Sequence, residues 1–172
     1  MRTDIQATRS ALSQVSTTAA EAIDTTETSI DLTSASSFPT SGTFLVGSEV
    51  ITYTGKSTNT LTGCVRGANG TTAASHSNGA TVILMQEIVG PATRLRGITV
   101  SSDGSGAGSM TLTSDQGTSL LVIDVPEGDV INLNIPENGI IFPKGIFLTS
   151  SANVTAFTLF TDKYSSRGFT AG

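Results

Sequence analysis

The stretch SGTFLVGSEVITYTGKSTNTLTGCVRGANGTTAASHSNGATV, Ser41 to Val82, decides how the chain is read. Phe44 and Val46 fall on alternate positions, and so do Glu49, Ile51 and Tyr53 against Val50 and Thr52. Between the two runs stand Gly47 and Ser48, a pair that suits a two-residue β-turn because glycine reaches positive φ without steric cost. The reading is a tight hairpin. Gly55 breaks its second strand, and Asn59 to Thr62 offers a third. From Arg66 to Gly79 there is almost no large apolar residue, so this segment is expected as an ordered loop lying over the hairpin. The run Ala80 to Met85 closes the unit as a strand.

Polar residues within the stretch invite a choice between chemistry and packing. Glu49 and His76 could form an acid/base pair. The simpler expectation pairs a buried Glu49 with Arg66, whose planar guanidinium matches a carboxylate in bidentate fashion. His76, in a Ser/Asn-rich loop, is expected to bond backbone groups. Catalytic residues, metal ligands and cofactors are therefore not expected.

Upstream, Met1 to about Ala22 is the one helix candidate. Thr3 and Gln6 fit a capping box, and Ile5, Leu12, Val15, Ala19 and Ala22 fall on one helical stripe. Ser13, Ser16, Thr17 and Thr18 are mediocre helix formers, so the segment reads as an anchor ordered by docking on a neighbour. Ser29 to Leu32 alternates and is expected to pair with the hairpin, while Phe38-Pro39 enforces an extended turn. Downstream, Gly90-Pro91 marks a boundary. Strands follow at Leu95–Val100, Met110–Thr113, Leu120–Val125, Val130–Ile135, Ile140–Phe142, Gly145–Leu148 and Val154–Phe160, punctuated by Gly, Pro and Asn. The nearly continuous apolar run Leu120 to Val125 is expected to be a central strand.

The organisation predicted is mainly β: a short N-terminal helix or arm over 1–24, a small β-hairpin module over 25–86, a jelly-roll-like antiparallel β-sandwich over 92–162 and a C-terminal arm over 163–172. Consecutive apolar residues at 140–142 and 146–148 cannot all face one core, since neighbours on a strand point opposite ways. Ile141 and Phe147, with Ile5, Leu12 and Val15 of the N-terminal stripe, are therefore the expected interface residues of a homo-oligomer, with a trimer preferred.

Composition narrows the function classes. Net charge is −5, the pI is near 4.6, and only 13% of residues are charged, so the basic footprint of a nucleic-acid binder is missing. No apolar run is long enough to span a membrane, and no signal-peptide core opens the chain. Cys64 is the only cysteine, so it cannot form an internal disulfide or build a zinc site. Asp103-Gly104-Ser105-Gly106 has too few oxygens for a helix-loop-helix calcium site. Gly104 to Gly108 lacks the Lys-Ser/Thr and helix of a phosphate loop. Carboxylates at Glu49, Asp124 and Glu137 carry no hydrolase motif. A glycan-binding module is disfavoured by the lack of Trp and by only two tyrosines, Tyr53 and Tyr164.

The pattern Gly-Ser-Glu-x-Ile-x-Tyr-Thr-Gly at 47–55, Leu-Thr-Gly-Cys-x-Arg-Gly at 61–67 and Gly-Thr-Thr-Ala-Ala-Ser-His-Ser-x-Gly-Ala at 70–80 resembles a small β-module of tailed-bacteriophage structural proteins. Ala92 to Ile98, Leu120 to Ile123 and Gly139 to Ile146 more loosely resemble a small β-sandwich of phage virion proteins. The resemblance implies a non-enzymatic component on the exterior of a phage particle, with other virion proteins as partners. Capsid decoration or cement comes first among the possible positions, and a neck, tail or fibre-connecting position is the alternative.

Overall fold

The computed structural model describes residues 6–10, 14–90, 93–136 and 138–163. They are mainly β, in several antiparallel sheets. The strands are β1 (Gln6–Ser10), β2 (Ser16–Thr18), β3 (Ser29–Asp31), β4 (Gly42–Val46), β5 (Glu49–Tyr53), β6 (Gly55–Ser57), β7 (Thr60–Thr62) and β8 (Thr81–Leu84). They continue as β9 (Gln86–Val89), β10 (Thr93–Ser102), β11 (Gly108–Thr113), β12 (Ser119–Val125), β13 (Val130–Asn134), β14 (Ile140–Phe142), β15 (Ile146–Ala152) and β16 (Val154–Lys163). A 3-10 turn, Ala68–Gly70, interrupts the long loop after β7.

The hairpin forms as the alternation requires. β4 and β5 pair from Gly42↔Tyr53 to Val46↔Glu49, and Gly47 turns the chain at φ +59°. Phe44, Val46, Ile51 and Tyr53 are buried on one face, in a core shared with Ile23, Ile30, Leu32, Phe38, Leu61 and Val82. The Phe44 and Tyr53 rings meet at 5.8 Å and 52°, a tilted aromatic contact. Two sheets enclose this core, ordered β2-β8-β4-β5 and β3-β7-β6.

Two expectations for the first half are corrected. β3 pairs with β7 (Ile30↔Leu61) rather than with the β4–β5 hairpin. The described residues of the N-terminal segment are also not helical. β1 runs antiparallel to β16, and β2 pairs with β8 through Thr17↔Val82. The physical reason lies in the Ser and Thr residues at 16–18: they gain nothing as helix formers, and a waiting sheet edge satisfies their backbone. Ala19 and Ile23, each 1% exposed, then enter the first core. So 15–24 belongs to the first unit and β1 to the second, while Gln14 N donates to Ser151 Oγ of the second at 2.9 Å.

The second core draws Leu95, Ile98, Val100, Phe142, Phe157 and Leu159 from one sheet, and Met110, Leu112, Ile123, Val125, Ile146 and Leu148 from another. The first sheet is ordered β1-β16-β10-β13, with β14 also on β10; the second is ordered β12-β11-β15-β9. β12 is therefore an edge strand, contrary to the central position expected of it. Its partner on one side is β11, and Leu120 and Val122 are 39% and 57% exposed. Apolar content marked it as buried; which edge it occupies is set by the long-range pairing.

Candidate functional site

Glu49 sits where the hairpin turns back, on the core side of the first residue of β5, and is 1% exposed. A carboxylate removed from water in this way must be paired and hydrogen-bonded to stay charged. Every partner comes from the segment 66–76. The Arg66 guanidinium makes a two-toothed contact, Nε donating to Oε1 at 2.9 Å and Nη2 to Oε2 at 2.8 Å. The backbone N–H of Gly67 donates to Oε1 at 2.9 Å and that of Ala74 to Oε2 at 3.1 Å. His76 Nε2 lies 2.7 Å from Oε2. Five contacts on two oxygens meet or exceed the roughly four lone-pair directions a carboxylate offers.

Arg66 is held in turn. Its Nη1 donates to the carbonyl of Asp24, and its Nη2 to that of Ala74 at 2.7 Å. His76 exchanges backbone hydrogen bonds with Ile23, at 2.8 and 2.9 Å. Thr71 Oγ1 accepts the Val50 N–H at 3.0 Å and donates to the Ala68 carbonyl at 2.8 Å. Gly67, at φ +59°, stands in the left-handed region, and a Cβ there would lie 3.0 Å from both Ala73 N and Thr71 O, a tight approach. The outcome is a polar clamp that pins the loop 67–79 across the hairpin and onto the segment at Ile23, through the isolated bridge Ile23↔His76.

Burial alone would raise the Glu49 carboxyl above its ordinary value. Arg66 first, then His76 and the amides of Gly67 and Ala74, outweigh that and hold it down at about 2. The group is ionised at neutral pH, and its oxygens are occupied by its own chain, so it has no free lone pair for a substrate proton. Burial pushes the Cys64 thiol up to about 11 and the Tyr53 phenol up to about 12. Tyr53 donates its hydroxyl to the Pro39 carbonyl at 3.0 Å.

Glu49 and Arg66 are thus brought together. His76, expected to bond backbone groups, places its ring Nε2 on the Glu49 carboxylate. The two amides on Glu49 and the Asp24 carbonyl on Arg66 had no signature in the sequence, since any residue carries such groups. Of the expected interface residues, Ile5 and Leu12 lie outside the described residues. Val15 packs against the first core, Phe147 lines a groove between the two units, and Ile141 is 41% exposed. Asp124 is an exposed residue of β12, remote in sequence and sheet from Glu49, and Glu137 lies outside the described residues. Among the described residues, no group of three or more His, Cys, Asp or Glu is placed to hold a metal ion. Asp103 closes a small turn, accepting from Ser105 N at 2.8 Å and Oγ at 2.6 Å.

A second buried carboxylate, Asp162, was not foreseen. It stands opposite Arg94 in the β10–β16 register, with Arg94 Nε at 3.7 Å and Arg96 Nε at 3.9 Å. Only the pairing of strands far apart in sequence brings these charges together. No family model, curated protein or solved structure matches the chain.

Proposed function

We propose that the chain is a non-enzymatic structural component of a tailed-phage virion, an exterior capsid decoration or cement protein that binds other virion proteins as a homotrimer. The observation that carries this reading is where the polar residues of the 47–80 pattern go. Glu49, Arg66, Gly67, Thr71, Ala74 and His76 all serve to hold one loop on one hairpin. The pattern that resembles a phage β-module is then a signature of a fold element, with its charged groups used up in stabilising it. In the second unit, a jelly-roll-like sandwich is supported by two sheets around one core and by a chain that crosses between them repeatedly. Leu120, Val122, Val130 and Ile141 are exposed apolar side chains on that unit, which favours an interface.

Quantitative mass spectrometry of purified particles of the phage encoding the chain tests the proposal. Copies in the hundreds mean decoration, a dozen or fewer mean a neck or tail position, and absence from the particle overturns the reading.

A second reading, a glycan-binding module, has one observation in its favour. A shallow cleft of about 340 Å³ on the second unit combines Phe160, 36% exposed, with Arg96, Thr99, Asn132 and Asn134. A glycan array probed with the purified chain decides it, and binding lost in Phe160→Ala would support it.

A further inference from the structure

A strand at the edge of a sheet leaves one row of backbone N–H and C=O groups without strand partners. β12 is the longest such strand among the described residues, with seven residues against five or fewer for every other strand at an edge. It pairs with β11 on one side, and among the described residues no strand lies on the other. The edge of β5, by contrast, is covered by Val65 and Thr71. Devices that protect an edge are sparse on β12. Ser119 to Val125 holds no Lys, Arg or Pro, and its one charge, Asp124, stands next to its end. The pairing with β11 is regular from Val125 to Leu121 and shifts only beyond Leu121. Alternation divides the strand: Ile123 and Val125 enter the core, while Leu120, Val122 and Asp124 are exposed.

The two ends of β12 differ in charge. At its start, Leu120 lines a shallow cleft of about 580 Å³ with Ile141 and Lys144, and Asp115 lies in the same cleft. Past its end, the turn to β13 carries Glu127 and Asp129, both exposed and close in sequence to Asp124. From Gly97 to Pro143 the sequence has six carboxylates and neither Lys nor Arg, so Lys144 is the first cation after a long acidic run. A strand with an apolar middle, a cation beside its start and three carboxylates at its end complements a copy of itself turned end for end.

We propose that the free edge of β12 pairs with β12 of a second copy of the chain, antiparallel and twofold, centred on Val122. The twofold sets Val122 opposite Val122, Leu121 opposite Ile123, and Leu120 opposite Asp124. The backbone row of each edge is then satisfied by the other, and exposed valines meet across the axis. Lys144, beside Leu120, is brought to the acidic end of the second copy. Any extended segment offers the same backbone row, but a copy also answers the order of charges along β12 by symmetry. This pairing rests on the reading of the chain as a homo-oligomer. Being twofold, it joins two copies, or two threefold rings, whatever particle they belong to.

Disulfide trapping on the full chain tests the register, with diamide as the oxidant and Cys64 out of reach in the core. Val122→Cys puts two thiols across the twofold, where opposed Cα atoms lie about 4.5–5.5 Å apart, within disulfide range. Asp124→Cys is the control. It is exposed on the same strand, but the pairing leaves its two copies about 13 Å apart along the strands. The expected result is a covalent dimer from Val122→Cys and little or none from Asp124→Cys. In light scattering, Val122→Lys, which puts a charge on the exposed side of the edge, should lower the mass of the parent by about half. Equal crosslinking of both cysteine variants, none from Val122→Cys, or an unchanged mass in Val122→Lys overturns the twofold pair. With the parent still well above 17.6 kDa, the homo-oligomer reading survives that failure. A parent that scatters as a monomer overturns both.

Discussion

Replacing Glu49 by glutamine keeps the shape of the side chain and removes its charge, which isolates the clamp. The amide nitrogen must occupy the position of one carboxylate oxygen. At Oε1 it would face two donors, Arg66 Nε–H and the Gly67 N–H. At Oε2 it would face Arg66 Nη2–H and the Ala74 N–H, with His76 beside them. At least two hydrogen bonds are lost in either orientation, and the buried guanidinium loses its counter-charge. Breaking a buried pair in this way costs about 3–5 kcal/mol. In a chain of this size each kcal/mol lowers Tm by about 2–4 °C, so the drop should be about 6–20 °C. Differential scanning calorimetry at neutral pH, parent against Glu49→Gln, measures it. A variant melting within about 2 °C of the parent would refute the clamp as a stabilising element and leave the loop 67–79 held by something else.

The same carboxylate sets an acid response. Its folded value of about 2 lies below its ordinary 4.5, so the unfolded chain takes up the proton more readily. The stability it contributes is complete above pH 4.5 and fades as pH falls toward 2. Urea titrations across that window should show the loss in the parent and a flatter profile in Glu49→Gln. Tyr53→Phe removes a hydroxyl that is bonded to the Pro39 carbonyl beside the first core, and should cost about 1 kcal/mol in the same titrations. Cys64 is buried with its thiol raised to about 11, so a thiol reagent should label it only under denaturing conditions. Labelling of the native chain at the unfolded rate would contradict this burial. Light scattering should give a mass well above 17.6 kDa, reduced by Ile141→Asp. A soluble monomer would count against the trimer.

Much of the fold was open to reading from local order alone. The hairpin of β4 and β5 follows from period-two alternation around Gly47-Ser48, because backbone sterics and side-chain direction act between neighbours in the chain. Glu49 and Arg66 could be matched because they are the one acid and the one guanidinium between Ser41 and Val82. The alternation in Ile140-Ile141-Phe142 likewise told which side chain would be exposed, and Ile141 is. Where the reading failed, the deciding partner was distant. A stripe of apolar residues at 5–22 satisfied helical spacing, yet β1 lies on β16 and β2 on β8, since free sheet edges outcompete a weak helical propensity. Leu120 to Val125 is apolar enough for a central strand, but edge or centre is a property of the whole sheet. Backbone donors on Glu49, the Arg94–Asp162 register and the hydrogen bond from Gln116 Nε2 to the Asn69 carbonyl belong to the same class. Each joins groups that any sequence carries or that sit far apart along the chain, and only the closing of the tertiary structure brings them within hydrogen-bonding range.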